Sequence, residues 1–496
     1  MKLPFLRTIT VGYLLLPNVI FIAGWFGYQY SIPVVLGFIF LFYSQFKNTN
    51  SQTDVAFPLR DTSILLLCAM FWTFSSGTSG LSFQIADYWA HNAKFYDLFN
   101  NPWPTYFAEK GQYACYYFGY FIVPAFVSKL LGHLSPTTLF VWTTIGYWLG
   151  LMWMYVLLKQ KKRLILALLF VGGIGHLIKV LFYQLTDFQF HIAPFYTEIW
   201  SIYDQSLWVT NQIIPIILIA SVFTYDVWIK KRLEDSFFLI TLGFLWAIFP
   251  SIIFVVLFGI LFVNKYIRDY RLLLTKTFIK QIILPGLIFI PTFIYFLSSD
   301  SIQAKGFIWQ FEPTWKILAE YFVGTVLDII LFFLLSRLLK KNDNLIPGWF
   351  LNAVFVVFLL MSLYRIGRWN DWFIRGYIPL MFIILVSLIR SLDNMRVSKK
   401  WNKSLYFNVL VILLLLGSII PAGHVVRSLR HNVIVNRLLP GSAPFEPIPY
   451  DNYRNTYEAV TEKSSDGEIE AQQYLSARGS VYEKFFSRHH SENLKE

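Results

Sequence analysis

Residues 83–100 read FQIADYWAHNAKFYDLFN, and in them an aspartate, a histidine and a lysine recur at steps of four and three. A helix over about 85–99 places Asp87, His91 and Lys94 on one face, because positions i, i+4 and i+7 line up along a helix. Such a face has chemistry open to it. A carboxylate there takes a proton from an acceptor hydroxyl, or helps hold a divalent metal such as Mg or Mn that steadies a leaving phosphate, with Asp87 the ligand if there is one. The plain alternative is a solvated helix with surface charges. On the opposite face Phe95, Leu98 and Phe99 are expected to lie on a membrane surface, and Asn101, Pro102, Trp103 and Pro104 form a rigid aromatic corner at the helix exit.

Two further stretches supply partners. HIAPFYTEIWSIYDQSLWVTNQ (191–212) sets His191, Glu198, Asp204 and Asn211 among tyrosines and tryptophans, the mixture of a sugar-binding cleft and equally of an interfacial aromatic belt. Glu198 and Asp204 stand out, since carboxylates at such a boundary are costly unless paired or working. YRIGRWNDWFIRGYIP (364–379) carries Arg365, Arg368 and Arg375 beside Trp369 and Trp372. Guanidiniums suit bidentate phosphate recognition, so the segment reads as a clamp for the phosphate of a lipid carrier. Arg375 is the best placed, because a span begins directly after it. The competing reading is an internal network with Asp371, which absorbs one arginine and leaves two.

The elements that position these residues follow from composition. Of 496 residues 56% are hydrophobic and 14% charged, against about 25% charged in a soluble domain. The expected fold is therefore an all-α polytopic membrane protein. Span-length apolar runs lie at roughly 8–27, 30–46, 62–80, 136–158, 164–183, 206–228, 282–298, 317–339, 346–364, 376–393 and 404–423. The stretch 236–263, broken by Pro250 and basic at both ends, reads as two short helices forming a hairpin that returns to its starting side. The total is eleven to thirteen transmembrane helices.

The net charge of +13 would favour nucleic acid on a soluble domain, but it lies mostly in short loops at the ends of apolar runs. That is the positive-inside pattern, and it excludes nucleic acid as a partner. It also decides the run 116–132. Counted as a span, that run would put Lys159–Arg163 outside; read as a helix in the outer interface, it restores the later loops to their sides. The expected organisation is a hairpin over 1–61, a core over 62–423 with a large first outer loop at 81–135, and an external tail over 424–496. The amino terminus is expected inside and the carboxyl terminus outside. The basic start of the chain resembles a signal peptide without a cleavage site, and so reads as an uncleaved first span. Short basic loops and outer loops without Asn-x-Ser/Thr signals point to a bacterial inner membrane. Cys68 and Cys115 give no disulfide framework.

Ionisable residues within spans are few, Asp328 and Lys179 being the clearest, where a transporter would hold several. No Walker loop, dinucleotide fingerprint, HExxH or CxxC pair occurs. The order of parts resembles the GT-C superfamily, multispan glycosyltransferases that use polyprenyl-phosphate-linked sugars. The resemblance rests on Asp87 in IADYWAHNAKF, the run YYFGYFIVPAFVSKLLG (116–132), the turn after Gly132 and the span ending at Lys159–Arg163, within an architecture covering about 80–395. It implies Asp87 as catalytic base and Arg375 as the grip on the donor phosphate. The implied partners are a polyprenyl-phosphate-linked sugar donor, an extracytoplasmic acceptor and the lipid bilayer. The sequence departs from the family in having Ala86 and Tyr88 rather than a second acid beside Asp87, and two spans before the one that enters the loop. A transporter or flippase of lipid-linked glycans, and a polysaccharide polymerase, are the alternatives.

Overall fold

The structure is a computed structural model that describes residues 2–49, 56–186, 198–301, 304–311, 314–367, 369–397, 405–439, 441, 444–464 and 467–488. The chain is an all-α polytopic membrane protein. Among the described residues nine helices are long and apolar enough to cross a membrane, or ten when the bent pair Lys162–Phe170 and Gly175–Thr186 counts as one span. The expected number was higher because two runs form helices of less than span length. These are Leu59–Ser75, of 17 residues, and Gly348–Ser362, of 15.

In chain order the first twelve helices are α1 (Leu3–Trp25), α2 (Tyr28–Thr49), α3 (Leu59–Ser75), α4 (Tyr88–Asn100), α5 (Ile122–Leu131), α6 (Pro136–Leu157), α7 (Lys162–Phe170), α8 (Gly175–Thr186), α9 (Ile202–Trp208), α10 (Thr210–Thr224), α11 (Phe237–Gly243) and α12 (Ile248–Tyr266). The spans Lys276–Leu297, Thr314–Asn342, Asp371–Val397 and Val411–Arg430 follow. Salt bridges gather the basic loops at one end of the bundle. Lys161 and Arg163 meet Asp393, Lys162 meets Asp61, Arg390 meets Asp343 at 2.7 Å and Lys230 meets Asp235 at 2.6 Å. The large loop after α3 and the tail lie together at the other end.

The 236–263 hairpin is present but unequal. α11 has seven residues and α12 nineteen, so one arm is a full span rather than a short helix. Its two feet meet at Glu234, which accepts from Lys265 Nζ and from Tyr266 Oη (2.7 Å). Its tip reaches the first loop, where Gly119 N donates to Leu245 O at 2.9 Å. The run 116–132 is helical only over α5, whose ten residues rise about 15 Å, half the thickness of a hydrocarbon core. Lys129 anchors this helix by donating to Asn101 O at 2.7 Å.

The α7–α8 span bends by 50° at its break. A broken helix frees backbone N–H groups that must find acceptors away from water. Asp328 supplies them: Oδ1 accepts from Ile174 N at 2.7 Å and Oδ2 from Gly175 N at 3.2 Å. The approach is close enough that a side chain at Gly173 would place its Cβ 1.9 Å from Asp328 Oδ2. The buried Asp328 thus holds a bent span in shape. Lys179 is equally engaged, with Glu198 at 2.5 Å and Glu320 at 2.9 Å.

The tail is woven into the loop end rather than hanging from it. Ser82 pairs with Asn432, Ala114 with Leu475, Ser299 with Ser476 and Phe26 with Ser487 in single-residue bridges. Tyr482 Oη donates to Trp25 O at 3.0 Å, and Asn92 Nδ2 donates to Ile448 O. Phe95 and Leu98 are accordingly buried against protein, Phe95 edge-on to Tyr450, and do not lie on a membrane surface.

Candidate active site

α4 begins at Tyr88, with Asp87 at its N-cap position. An aspartate there ordinarily accepts from the N–H groups of the first turn. Asp87 does not: its backbone oxygen accepts from His91 N at 3.0 Å, while its side chain makes no capping bond. The half-buried carboxylate lies instead in the electrostatic field of Arg375, Lys94, Asp371 and Glu470. Two anchors hold the helix in place. Tyr88 Oη donates to Ser76 O at 2.7 Å, and Asp97 accepts from Thr456 N and Oγ1 at 3.3 and 3.1 Å.

Asp87, His91 and Lys94 share a face, as their spacing predicts. Lys94 is 1% exposed, and its ammonium stands over three rings, 4.6 Å from the centre of Tyr116, 5.4 Å from Tyr474 and 5.5 Å from Phe121. A cation over aromatic faces is held without being neutralised. Burial, reinforced by Arg375, lowers the Lys94 ammonium from 10.5 to about 7 although Asp87 works the other way. Burial raises the Asp87 carboxyl from 3.8 to about 6; Arg375 and Lys94 pull it down, Asp371 and Glu470 push it up. These two groups thus have their transitions brought near neutrality. His91 is kept neutral by burial and by Lys94, and its Nε2 meets Trp208 O at 3.1 Å. It wedges α4 against α9.

Arg375 comes from the start of the Asp371–Val397 span and lies within the field that Asp87 feels. Its Nε and Nη2 both reach Asp371 Oδ1 at 2.7 Å, so the expected internal network exists and takes up this arginine. Asp371 is itself closely backed. Gly367 has a φ of +84°, and a Cβ there would stand 2.6 Å from Asp371 Oδ2. Arg375 Nη1 also points to Tyr117 Oη at 3.5 Å, the oxygen that accepts from Gln212 Nε2 at 2.9 Å and from Tyr116 Oη. Tyr116 and Tyr117 stack at 3.8 Å. This pair links Lys94, under one ring, to Arg375, at the other hydroxyl.

Tyr116, Tyr117, Gln212, Tyr474 and Glu470 were not foreseen from the sequence. The YYFGY run was the available signal, and its apolar continuation made it read as part of a helix in the outer interface. Glu198 and Asp204 hold protein partners instead of joining Asp87. Glu198 pairs with Lys179, and Asp204 with His424 Nδ1 at 2.7 Å and Ser201 Oγ at 2.9 Å. Arg365 is buried in the two-stranded ladder of Lys305–Phe307 with Tyr364–Ile366, where its guanidinium lies 4.4 Å from the Phe311 ring and its Nε donates to Gly367 O at 3.0 Å. His191 and Arg368 lie outside the described residues.

For a divalent metal the donor set does not fit. Among the described residues no three His, Cys, Asp or Glu side chains gather closely enough to hold an ion. Asp371 is taken by Arg375, and Asp87 lies in the field of two cations. What the site offers instead is one carboxylate near its transition and two fixed positive groups, one planar and one compact. In the comparisons with known proteins, no family model, curated protein or solved structure matches this chain.

Proposed function

We propose that the protein is a membrane glycosyltransferase of the GT-C kind, moving a sugar from a polyprenyl-phosphate carrier to an extracytoplasmic glycan, lipid or protein acceptor by inverting displacement. The observation that carries this reading is that Asp87 and Arg375, distant in the chain, lie near enough to act on each other electrostatically at the end of the bundle opposite the basic loops. On the positive-inside rule that end faces outward, with the amino terminus inside. We assign it to the outer face of a bacterial inner membrane.

In the proposed reaction the acceptor oxygen attacks the anomeric carbon while the bond from that carbon to the phosphate oxygen breaks. Asp87 takes the acceptor proton. Arg375 and Lys94 meet the charge that grows on the departing polyprenyl phosphate, a fixed electrostatic arrangement that needs no reorganisation as the bond breaks. Because the carrier delivers the sugar at the membrane, no soluble nucleotide-sugar domain is required. Asp328 supports this reading over transport, since it caps a helix break instead of marking an ion path.

The test is purified full-length protein with a panel of radiolabelled polyprenyl-phosphate sugars. Transfer by the unmodified chain is expected, with a loss of about 10²–10⁴-fold in Asp87→Asn. Undiminished transfer by that variant would remove Asp87 from the chemistry.

A further inference from the structure

At the basic end, far from Asp87, a cavity of about 410 Å³ opens between the loop after α10 and the start of the Lys276–Leu297 span. Its floor is polar and built in. Gln281, 3% exposed, accepts from Gln45 Nε2 at 2.9 Å; Gln45 Oε1 accepts from Arg7 Nη1 at 2.7 Å, and Arg7 pairs with Asp226 at 2.8 Å. The walls carry Arg232, Lys276 and Lys280 together with Glu234 and Asp235.

The charges in these walls do not cancel among themselves. Both carboxylates are already held from outside the cavity, Glu234 by Lys265 and Tyr266, and Asp235 by Lys230 at 2.6 Å. Arg232 reaches Asp235 only at 3.9 Å and has a side chain 49% exposed. Among the described residues, Lys276 and Lys280 make no ion pair; Lys280 rests over the Phe40 ring at 5.3 Å. Three cations thus border the cavity in excess of what its acids need.

Directly beyond it runs an apolar flank. On α2 Leu36 and Phe40 are 60% and 49% exposed, and on the adjoining span Ile283 and Leu287 are 43% and 57% exposed. The two helices touch where Gly37 meets Ile288, so these residues form one continuous surface below the cations. A compact anion joined to long hydrocarbon chains matches that sequence of surfaces, whereas a free anion would leave the flank unused. We propose that this cavity is a binding site for the headgroup of an anionic phospholipid, with its phosphate among Arg232, Lys276 and Lys280 and its acyl chains along α2 and the Lys276–Leu297 span.

The experiment is native mass spectrometry of the delipidated full-length protein in detergent, supplied with equal amounts of dioleoylphosphatidylglycerol and dioleoylphosphatidylcholine. The unmodified protein is expected to retain phosphatidylglycerol preferentially, and each lysine removed in Lys276→Gln and Lys280→Gln to lower that retention about fivefold. Arg232→Gln, at a half-exposed side chain, gives an independent variant that leaves the Glu234–Lys265 and Asp235–Lys230 pairs intact. Equal retention of the two lipids by the unmodified protein would overturn the proposal. So would an undiminished preference in these variants, or displacement of the lipid by inorganic phosphate at matching concentration.

Discussion

An aspartate at a helix start that leaves the helix uncapped forgoes about 1 kcal/mol of local stability, and Asp87 does so while facing two cations. Its charge state should be readable in rate. In the proposed reaction the Asp87 carboxyl, raised to about 6, serves as base only above that pH, so kcat/KM for sugar transfer is expected to rise through pH 6. Lys94, lowered to about 7, keeps its proton only below that pH, so the rate is expected to fall again above it. Two substitutions then move the rising limb in opposite directions. Lys94→Gln removes a positive charge that favours the Asp87 carboxylate, so the limb shifts to higher pH and the falling limb disappears. Asp371→Asn removes a negative charge that opposes it, so the limb shifts to lower pH, while the abandoned Arg375 costs on the order of 3 kcal/mol in thermal stability. Profiles that stay fixed in both variants would show that these groups do not share a site. The placement of Asp87 and Lys94 on one helix face and of Arg375 at the head of a span was legible, because helical spacing and the onset of an apolar run are physical constraints. Tyr117 and Gln212 were not, since a hydroxyl or an amide near a span end carries no charge to betray its place.

At the scale of elements, the α7–α8 break depends on a carboxylate from another span. Asp328→Ala would leave the Ile174 and Gly175 amides without an acceptor, at about 1–3 kcal/mol each, while Asp328→Asn keeps an oxygen for one of them. Melting in detergent should therefore fall more for alanine than for asparagine, with sugar transfer per folded molecule unchanged in the asparagine variant. Gly173→Ala should be as damaging as the loss of the carboxylate, because its Cβ would intrude on the same oxygen. A transport role for Asp328 predicts the reverse: loss of function without loss of stability. The spacing of Asp87, His91 and Lys94 located α4 to within three residues of its expected start, and hydropathy located the spans. It could not reveal that Asp328 serves a neighbour, because a capping contact between distant helices leaves no periodic trace. Nor could it distinguish lipid from protein as the apolar partner of Phe95 and Leu98, which are buried in the protein, Phe95 against Tyr450 of the tail.

Across the whole molecule, the site is assembled from a loop after the third helix, the start of α10, the head of the Asp371–Val397 span and the tail. Tyr474 closes one wall around Lys94 and packs on Tyr116 at 4.5 Å. Tyr474→Ala should admit water to the ammonium, raise it back toward 10.5 and move the falling limb of the rate profile to higher pH. An unmoved limb would show that the tail only covers the site. The weave of the tail was hidden from sequence reasoning because it consists of single-residue bridges, each too short to carry a pattern. Its geometry also sets an order of events during synthesis. Ser487 pairs with Phe26 and Tyr482 bonds Trp25, so α1 is completed by residues translated after the described spans of the bundle. Tyr474 supplies one of the three rings around Lys94, so that ammonium can be enclosed only once translation has passed residue 474.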